Sequence, residues 1–185
     1  IRYSIRNSSK NTYIGVRAFC SANSSTAAKR MKQVHLYTDG AASGNPGPGG
    51  YGLILELPGT AHKKEFSEGF VHTTNNRMEL MAVIVGLELL KESPLKVTVF
   101  TDSKYICDAV EKKWLMRWER EGFKKQKNQD LWLRFLKIYR NHQVKITWIK
   151  GHNQHPQNER CDKLAVAASK QKNNKQDTGY ITNRI

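Results

Sequence analysis

The order of strands and helices constrains the fold of this 185-residue chain more than any other feature of its sequence. Three short strands follow one another through tight links, and two further strands then alternate with helices. Strands joined by short links pair antiparallel, whereas strands joined through a helix run parallel with a right-handed crossover. The order therefore predicts an α/β protein: a mixed five-stranded sheet, three antiparallel strands and then two parallel ones, flanked by helices.

Hydrophobic periodicity and turn residues place the individual elements. The predicted strands cover residues 34–38, 51–57, 65–72, 96–101 and 144–149. The predicted helices cover residues 76–91, 103–121, 130–140 and 158–170. A loop rich in Gly and Pro, from Gly40 to Gly50, follows the first strand. In sheets of this kind, functional sites form beyond the carboxyl ends of the parallel strands.

The charge balance favours a polyanionic partner. The chain has 31 Lys and Arg against 16 Asp and Glu, a formal net charge of +15 at pH 7. A ribosomal protein or simple solubility would give the same signal, so the charge alone does not decide the function. Much of the excess lies at the ends of the chain, since residues 1–38 contain no acidic residue. Nucleic-acid binding by the central part must therefore depend on where its charges are placed.

Three segments are predicted from composition. Residues 1–30 are rich in Ser, Asn, Arg and Lys and lack periodicity, so we expect a disordered basic extension or leader. Such a segment is typical of an organelle transit peptide, and it is equally compatible with read-through upstream of a start at Met31. Residues 31–170 are expected to form the folded domain, and residues 171–185 a flexible basic tail.

The cysteines indicate a reducing compartment. Cys20, Cys107 and Cys161 are odd in number and far apart, which argues against a disulfide framework. No apolar run is long enough for a membrane span, so no membrane association is expected. We expect a cytoplasmic protein, or a mitochondrial one if residues 1–30 are a transit peptide.

Four acidic residues lie where a solvated carboxylate is not expected. Asp39 ends the first strand and Asp102 the fourth; singly, they could be a turn residue and a helix cap. Glu79 lies on the apolar stripe of its helix, with Arg77 on the opposite face, which is expected to face solvent. Asp162 lies on the small-residue face of the last helix. Two predicted helices thus each direct one acid inward and two predicted strands each end in an acid, a pattern that shows four unusual positions but not their convergence.

Converging carboxylates repel one another, and hard divalent cations with oxygen ligands relieve that repulsion. Mg²⁺ and Mn²⁺ are the natural candidates, and two such ions can drive an in-line phosphoryl displacement. His152, in the loop after the fifth strand, is placed to transfer protons, although alone it would be an ordinary surface histidine. A zinc site from His152, His155 and Cys161 is a weaker alternative, since it lacks a fourth ligand.

Together these residues resemble ribonuclease H of type 1. The family's motifs are matched by Asp39 in Tyr-Thr-Asp-Gly, Glu79 in Asn-Asn-Arg-Met-Glu-Leu, Asp102 in Thr-Asp-Ser, His152 in Lys-Gly-His, and Asp162 in Asn-Glu-Arg-Cys-Asp. The likeness runs from about Met31 to Ser169, and the motifs occur in the family's order.

The resemblance implies an endonuclease that hydrolyses the RNA strand of RNA–DNA hybrids with two Mg²⁺ ions, or Mn²⁺ as a substitute, leaving 5′-phosphate and 3′-hydroxyl ends. Asp39 would bridge both metals, Glu79 and Asp102 would complete one site, and Asp162 the other. Glu79 would also hold a ribose 2′-OH, the group that distinguishes RNA from DNA. The resemblance further implies a monomer with no obligate protein partner.

The same resemblance implies a set of substrate contacts: Gly40, Asn45, Thr74, Asn75, Lys104, Trp114, Trp118, Lys124 and Lys125. Asn45 and Asn75 would line the minor groove, and Thr74 would sit in a pocket for a DNA-strand phosphate. Residues 112–127 resemble the family's basic protrusion, where interleaved aromatic and cationic groups suit a DNA backbone. The alternative for the two tryptophans is an amphipathic helix with a core face.

The sequence departs from the family pattern at a few positions. Phe123 stands where the protrusion often has Trp, Gln154 replaces a frequent Gly, and Lys104 stands where Gln is common. Three other functions remain open: a catalytically silent hybrid-binding module, a nuclease domain released from a retroelement polyprotein, and a resolvase acting on DNA junctions. The complete set of acids argues against the first, and the Asn75-Asn76-Arg77 run favours hybrids over junctions.

Overall fold

The strands form one mixed sheet. A computed structural model describes residues 31–124, 126–151 and 155–182. Its strands are β1 (Gln33–Ala42), β2 (Gly47–Glu56), β3 (Lys63–Thr73), β4 (Lys96–Thr101) and β5 (Gln143–Trp148), in the spatial order β3-β2-β1-β4-β5. β1 and β3 pair antiparallel with β2, whereas β4 runs parallel to β1 and β5 parallel to β4. The predicted sheet of three antiparallel and two parallel strands is confirmed.

Helices cover both faces of this sheet. They are α1 (Asn75–Glu88), α2 (Lys104–Glu111), α3 (Trp114–Arg120), α4 (Gln129–Tyr139), α5 (Pro156–Ser169) and α6 (Thr178–Thr182). The larger core cluster joins one face of the sheet to α1, α2, α3 and α4, with Leu36 of β1 fully buried in it. On the other face, Cys161 of α5 packs with Tyr37 and Ile54. The helices thus leave the carboxyl ends of β1 and β4 between α1 and α5.

The single helix predicted for residues 103–121 is wrong, because the chain forms two helices there. Lys113, between α2 and α3, has a φ of 57°. That left-handed backbone cannot continue a right-handed α-helix. The break lets Ile106 of α2 and Leu115 of α3 both enter the larger core. Periodicity over the whole segment does not reveal one residue with a left-handed backbone.

Arg77 is buried, whereas its position opposite Glu79 predicted a solvent-facing side chain. It is only 1% exposed. Its Nε donates a hydrogen bond to Asp177 over 2.7 Å, and its Nη2 donates one to Asp130 over 2.7 Å. A buried guanidinium is tolerated when carboxylates pair with it and satisfy its donors. The prediction was wrong because the partner Asp177 lies 100 residues further along the chain.

Residues 171–182 are packed against the domain. Lys175 forms a parallel bridge with Phe70 of β3. Asp177 is 3% exposed and accepts a hydrogen bond from the Thr73 hydroxyl over 2.6 Å in addition to its pairing with Arg77. The flexible tail predicted for residues 171–185 is therefore wrong for this part, because a buried ion pair fixes it. Residues 183–185, like residues 1–30, lie outside the described residues.

Two cysteines are described, and both carry free thiols. Cys107 and Cys161 are buried, whereas Cys20 lies outside the described residues. Within the described ranges, no helix combines the length and apolar character needed to cross a bilayer. The absence of a disulfide between these two buried thiols agrees with the prediction from cysteine spacing.

Candidate active site

Two of the predicted acids lie just beyond the parallel pairing of β1 with β4. The predictions that Asp39 ends the first strand and that residues 40–50 form a loop are wrong, because β1 continues to Ala42 by pairing with β2, which begins at Gly47. Tyr37 of β1 is in register with Phe100 of β4. Asp39 and Asp102 each follow two residues further along these strands. Because the strands are parallel, both acids emerge at the same edge of the sheet.

The other two acids reach this edge from helices on opposite faces. Glu79 lies in the second turn of α1 and Asp162 in the middle of α5. Gly40 allows the approach of α1, since a Cβ there would lie 2.3 Å from the backbone nitrogen of Glu79. Any other residue at this position would push the helix, and with it the Glu79 carboxylate, away from Asp39. Gly40 therefore has a structural role in the site in addition to the substrate contact that the family resemblance implies.

Asp39 is the electrostatic centre of the group. It is 8% exposed, and its pKa is raised to about 8, chiefly by burial and also by the charges of Asp102, Asp162 and Glu79. A hydrogen bond from the Gly40 amide, 2.7 Å long, acts in the opposite direction. The structure thus brings all four predicted carboxylates within electrostatic range of one another.

Glu79 is held by an asparagine of the same helix. Burial raises its pKa, as does the charge of Asp102, while the Asn75 amide lowers it through a hydrogen bond of 2.7 Å. The Ser103 hydroxyl also lowers this pKa, although it makes no hydrogen bond of normal geometry within the described residues. The backbone N–H of Asn75 in turn donates to the side-chain oxygen of Asn45 over 3.3 Å. The two predicted minor-groove residues are therefore in contact with each other, and Asn75 is also in contact with the acid cluster.

The donor set of the cluster fits a hard divalent cation. Among the described residues, no Lys, Arg or His forms an ion pair with any of the four acids. Carboxylate oxygens without cationic partners are the ligands that Mg²⁺ and Mn²⁺ prefer. No three acidic, His or Cys side chains in the described part of the chain are already gathered at metal-ligand geometry. The residues present thus supply suitable ligands and an uncompensated charge, without a preformed coordination shell.

Asp102 has two close neighbours that sequence reasoning did not single out. The indole Nε1 of Trp148, at the end of β5, donates a hydrogen bond to the backbone oxygen of Asp102 over 3.1 Å. A Cβ on Gly151 would lie 2.5 Å from the Asp102 carboxylate, so the chain after β5 passes directly beside this acid. Lys104 is exposed at the start of α2. An aromatic residue at the carboxyl end of an edge strand was the available signal for Trp148.

Thr74 lies on a cavity beside the acid cluster. It is the N-cap residue of α1, but its side chain makes no capping hydrogen bond. The cavity measures about 650 Å³, and its lining also includes Arg77, Lys127, Asn128 and Tyr180. Asn128 is the N-cap residue of α4, so two helices begin at this cavity. Helix N-termini and nearby cations favour an anion. Tyr180 was missed because it belongs to the segment predicted to be flexible.

The residues of the predicted basic protrusion differ in their surroundings. Trp118 is 8% exposed and packs against Trp132 in the core, with ring centroids 5.5 Å apart. Trp114 is half-buried, and Lys112 lies over its ring at 5.0 Å. Lys124 is exposed in the turn after α3. Trp118 is thus largely a packing residue, and its contact with DNA stays a prediction.

Three predicted positions lie outside the described residues: Lys125, His152 and Gln154. The loop's flanking residue His155 is described, with its ring 5.4 Å from that of Tyr37. The zinc alternative is disfavoured at Cys161, because burial raises the pKa of this thiol and the charge of Asp39 raises it further. A zinc ligand must be a thiolate.

Comparison with known proteins identifies the family. The family model described as RNase H matches residues 31–170. A ribonuclease H of Desulforamulus reducens is 55% identical over 148 residues, which cover 77% of this chain and 91% of the relative. Among solved structures, LC9-RNase H1, a type 1 RNase H with the type 2 active-site motif, is 32% identical with a TM-score of 0.68, covering 75% of this chain and 72% of its own.

A second solved structure shows a related enzyme with its substrate. LC11-RNase H1 in complex with an RNA/DNA hybrid is 28% identical, with a TM-score of 0.54, over 73% of this chain and 95% of that one. The breadth of these matches leaves one assignment: the chain belongs to the RNase H family of divalent-metal-dependent nucleases.

Proposed function

We propose that this protein is an endonuclease that hydrolyses the RNA strand of RNA–DNA hybrids and leaves 5′-phosphate and 3′-hydroxyl ends. The observation that carries the proposal is the group of four acids around Asp39, all of which lie within the segment that the RNase H family model matches. A related enzyme of the family has been solved with an RNA/DNA hybrid, which supports the choice of substrate.

The four carboxylates would hold two Mg²⁺ ions, with Mn²⁺ as a possible substitute. Asp39 would contact both ions, Glu79 and Asp102 one of them, and Asp162 the other. When bound, such ions activate a water and stabilise the leaving oxygen of an in-line displacement. The chain's own part is to hold the acids: Gly40 brings Glu79 close to Asp39, and Asn75 orients the Glu79 carboxylate.

The surrounding residues would bind the hybrid. Asn45 and Asn75, which are in contact with each other, would bind in the minor groove of the hybrid. Gly40, which has no side chain, would allow the protein and nucleic-acid backbones to approach each other closely. Thr74 would place a DNA-strand phosphate in the cavity where α1 and α4 begin. The DNA strand would contact Trp114, Trp118, Lys124 and Lys125 in the basic protrusion. Lys104, beside the acids, would contact the hybrid as well. His152 would carry protons to or from the reacting oxygens.

We further propose a monomer that needs no protein partner and that removes hybrids formed in DNA replication. The spacing of the cysteines supports a cytoplasmic location as part of this proposal, and a mitochondrial location is the alternative if residues 1–30 act as a transit peptide.

The deciding experiment compares the wild-type protein with its Asp39→Asn variant on a labelled hybrid in the presence of Mg²⁺. We expect cleavage of the RNA strand by the wild type and none by the variant, with unchanged circular dichroism. Single-stranded RNA, duplex RNA and duplex DNA serve as control substrates and should remain intact. Full activity of the variant would exclude the metal assignment, and equal cleavage of duplex RNA would exclude hybrid specificity.

A further inference from the structure

Trp148 connects an acid of the site to a cation. Its indole Nε1 donates a hydrogen bond to the backbone oxygen of Asp102, 3.1 Å away, and the ammonium of Lys104 lies 5.5 Å from its ring centroid. A cation within about 6 Å of an aromatic centroid is attracted to the face of the ring. One side chain therefore fixes both the backbone that carries a carboxylate and a basic group two residues further on.

In the described part of the chain, no carboxylate neutralises the charge of Lys104. Among the described residues, Lys104 forms no ion pair, and its side chain is exposed. Trp148 is itself 45% exposed, so part of its ring is accessible to a ligand. An unpaired cation on an exposed aromatic surface, next to uncompensated carboxylates, is suited to a ligand that is also negatively charged.

Distance places this cation near the reacting bond. Lys104 follows Asp102 by two residues, so their Cα atoms lie at most about 7 Å apart. The proposed function puts the scissile phosphate over the acid cluster that includes Asp102. A lysine side chain at this distance can reach the next phosphate of the same strand, and its ammonium binds phosphate as a point charge.

We propose that Lys104 binds the RNA-strand phosphate adjacent to the scissile one, and that Trp148 is the positioning residue that holds both Lys104 and Asp102. The proposal rests on the proposed function, because it requires the RNA strand to lie over the four acids. It assigns two separable roles to Trp148: the ring acts on Lys104 and thereby on substrate affinity, and the N–H acts on Asp102 and thereby on turnover.

Four variants separate these roles. Lys104→Met removes the charge, and we expect a several-fold higher KM with kcat within about twofold of the wild type. The slope of log KM against log salt should fall by roughly 0.7–0.9, the value for one phosphate contact. Lys104→Arg keeps the charge and should restore most of the slope. Trp148→Phe keeps a ring but loses the N–H, so kcat should fall more than KM rises. Trp148→Leu loses both, so KM and kcat should both change.

The matched control is Lys96→Met. Lys96 is exposed at the amino end of β4, the same strand that Asp102 follows, and therefore lies about 20 Å from the acids. Its salt slope and KM should equal those of the wild type. Thermal unfolding of each variant guards against misfolding, and Trp148→Phe remains informative if Trp148→Leu is unstable.

An unchanged salt slope in Lys104→Met, in a wild-type background that cleaves hybrids, would overturn the phosphate contact. If Trp148→Phe and Trp148→Leu both kept wild-type kcat and KM, the positioning role would be lost. Failure of the wild type to cleave any hybrid would instead overturn the proposed function, so the two failures are distinguishable.

Discussion

Asn75 donates a hydrogen bond from its side-chain amide to the carboxylate of Glu79, one helical turn further along α1, over 2.7 Å. This bond opposes the burial and the charge of Asp102, both of which raise the pKa of Glu79. Asn75 thereby favours the ionised form of an acid that must be ionised to bind a metal.

Replacing Asn75 with Ala should therefore raise the pKa of Glu79 further. Activity requires the ionised form, so the acidic limb of the pH–rate profile should move to higher pH. The profile of kcat/KM between about pH 5 and about pH 9 measures the shift. The control is Asn76→Ala, an exposed neighbour without a contact to Glu79; it should leave the limb in place. A limb that does not move in Asn75→Ala would contradict the role assigned to this bond.

The raised pKa of Asp39 makes stability depend on pH. Its value is about 8 in the folded protein against 3.8 for the free group. Between these values the folded state keeps a proton that the unfolded state has lost. Without added metal, the free energy of unfolding should therefore fall as pH rises from about 4 to about 8. Asp39→Asn should make the free energy of unfolding depend less on pH. Urea unfolding of both proteins across this pH range, with a chelator present to remove metal ions, measures the difference.

The same comparison tests metal binding without any activity measurement. Added Mg²⁺ should stabilise the wild type near pH 8, because a ligand that binds only the folded state shifts the unfolding equilibrium. It should stabilise the Asp39→Asn variant much less. Equal stabilisation of both proteins would mean that the ion binds elsewhere.

The buried pair of Arg77 and Asp177 should contribute strongly to stability. Asp177→Asn leaves the guanidinium with Asp130, which is 31% exposed, as its remaining carboxylate partner among the described residues. Removing one partner of a buried ion pair costs about 3–5 kcal/mol. The control is Glu119→Gln, which breaks the exposed pair with Arg140 and should cost about 1 kcal/mol or less. Similar losses of unfolding free energy in both variants would show that the buried pair of Arg77 and Asp177 contributes no more to stability than an exposed pair.

Neutralising Lys124, Lys125 and Lys127 together should raise KM for the hybrid and weaken its salt dependence. Each lost phosphate contact lowers the salt slope by about 0.9. The slope is measured from KM between low and moderate salt. The matched control neutralises Lys63 and Lys64, which are exposed on β3. An unchanged slope in the triple variant would exclude a DNA contact at the protrusion.

His152→Ala should slow turnover without abolishing hybrid binding, because a proton carrier acts on the chemical step. Single-turnover rates and a gel-shift assay separate the two effects. Loss of binding in the gel shift would assign His152 to substrate contact instead.

Local patterns in the sequence were sufficient to predict the sheet and the place of the acids. Asp39 and Asp102 lie just beyond the parallel pairing of two strands whose order and direction follow from the lengths of their connections, and Glu79 follows from helical periodicity. The strand pattern placed the end of β1 too early, because its last residues pair with β2 through glycines. Periodicity misplaced Arg77, because the carboxylates that neutralise it come from distant segments. It also missed the break at Lys113, which depends on one residue's backbone angle.

Trp148 and Tyr180 illustrate the same limit within the site. The role of Trp148 depends on a hydrogen bond across to Asp102, 46 residues earlier in the chain, and that of Tyr180 on a cavity that it lines together with three other segments. The place of Trp148 at the end of an edge strand is a local signal, but the partner of each residue is not encoded locally. The composition of residues 171–182 indicates a solvated tail, and only the tertiary contacts of Asp177 show otherwise.

The distance along the chain between Arg77 and Asp177 has a consequence for synthesis on the ribosome. The two residues are 100 positions apart. At roughly 5–20 residues per second, Arg77 is made about 5–20 s before its partner. During that interval the guanidinium of Arg77 lacks a carboxylate that it has in the folded protein, so α1 cannot reach its full stability. The helix that carries Glu79 should therefore be the last part of the acid cluster to become fixed, after Asp177 has been made.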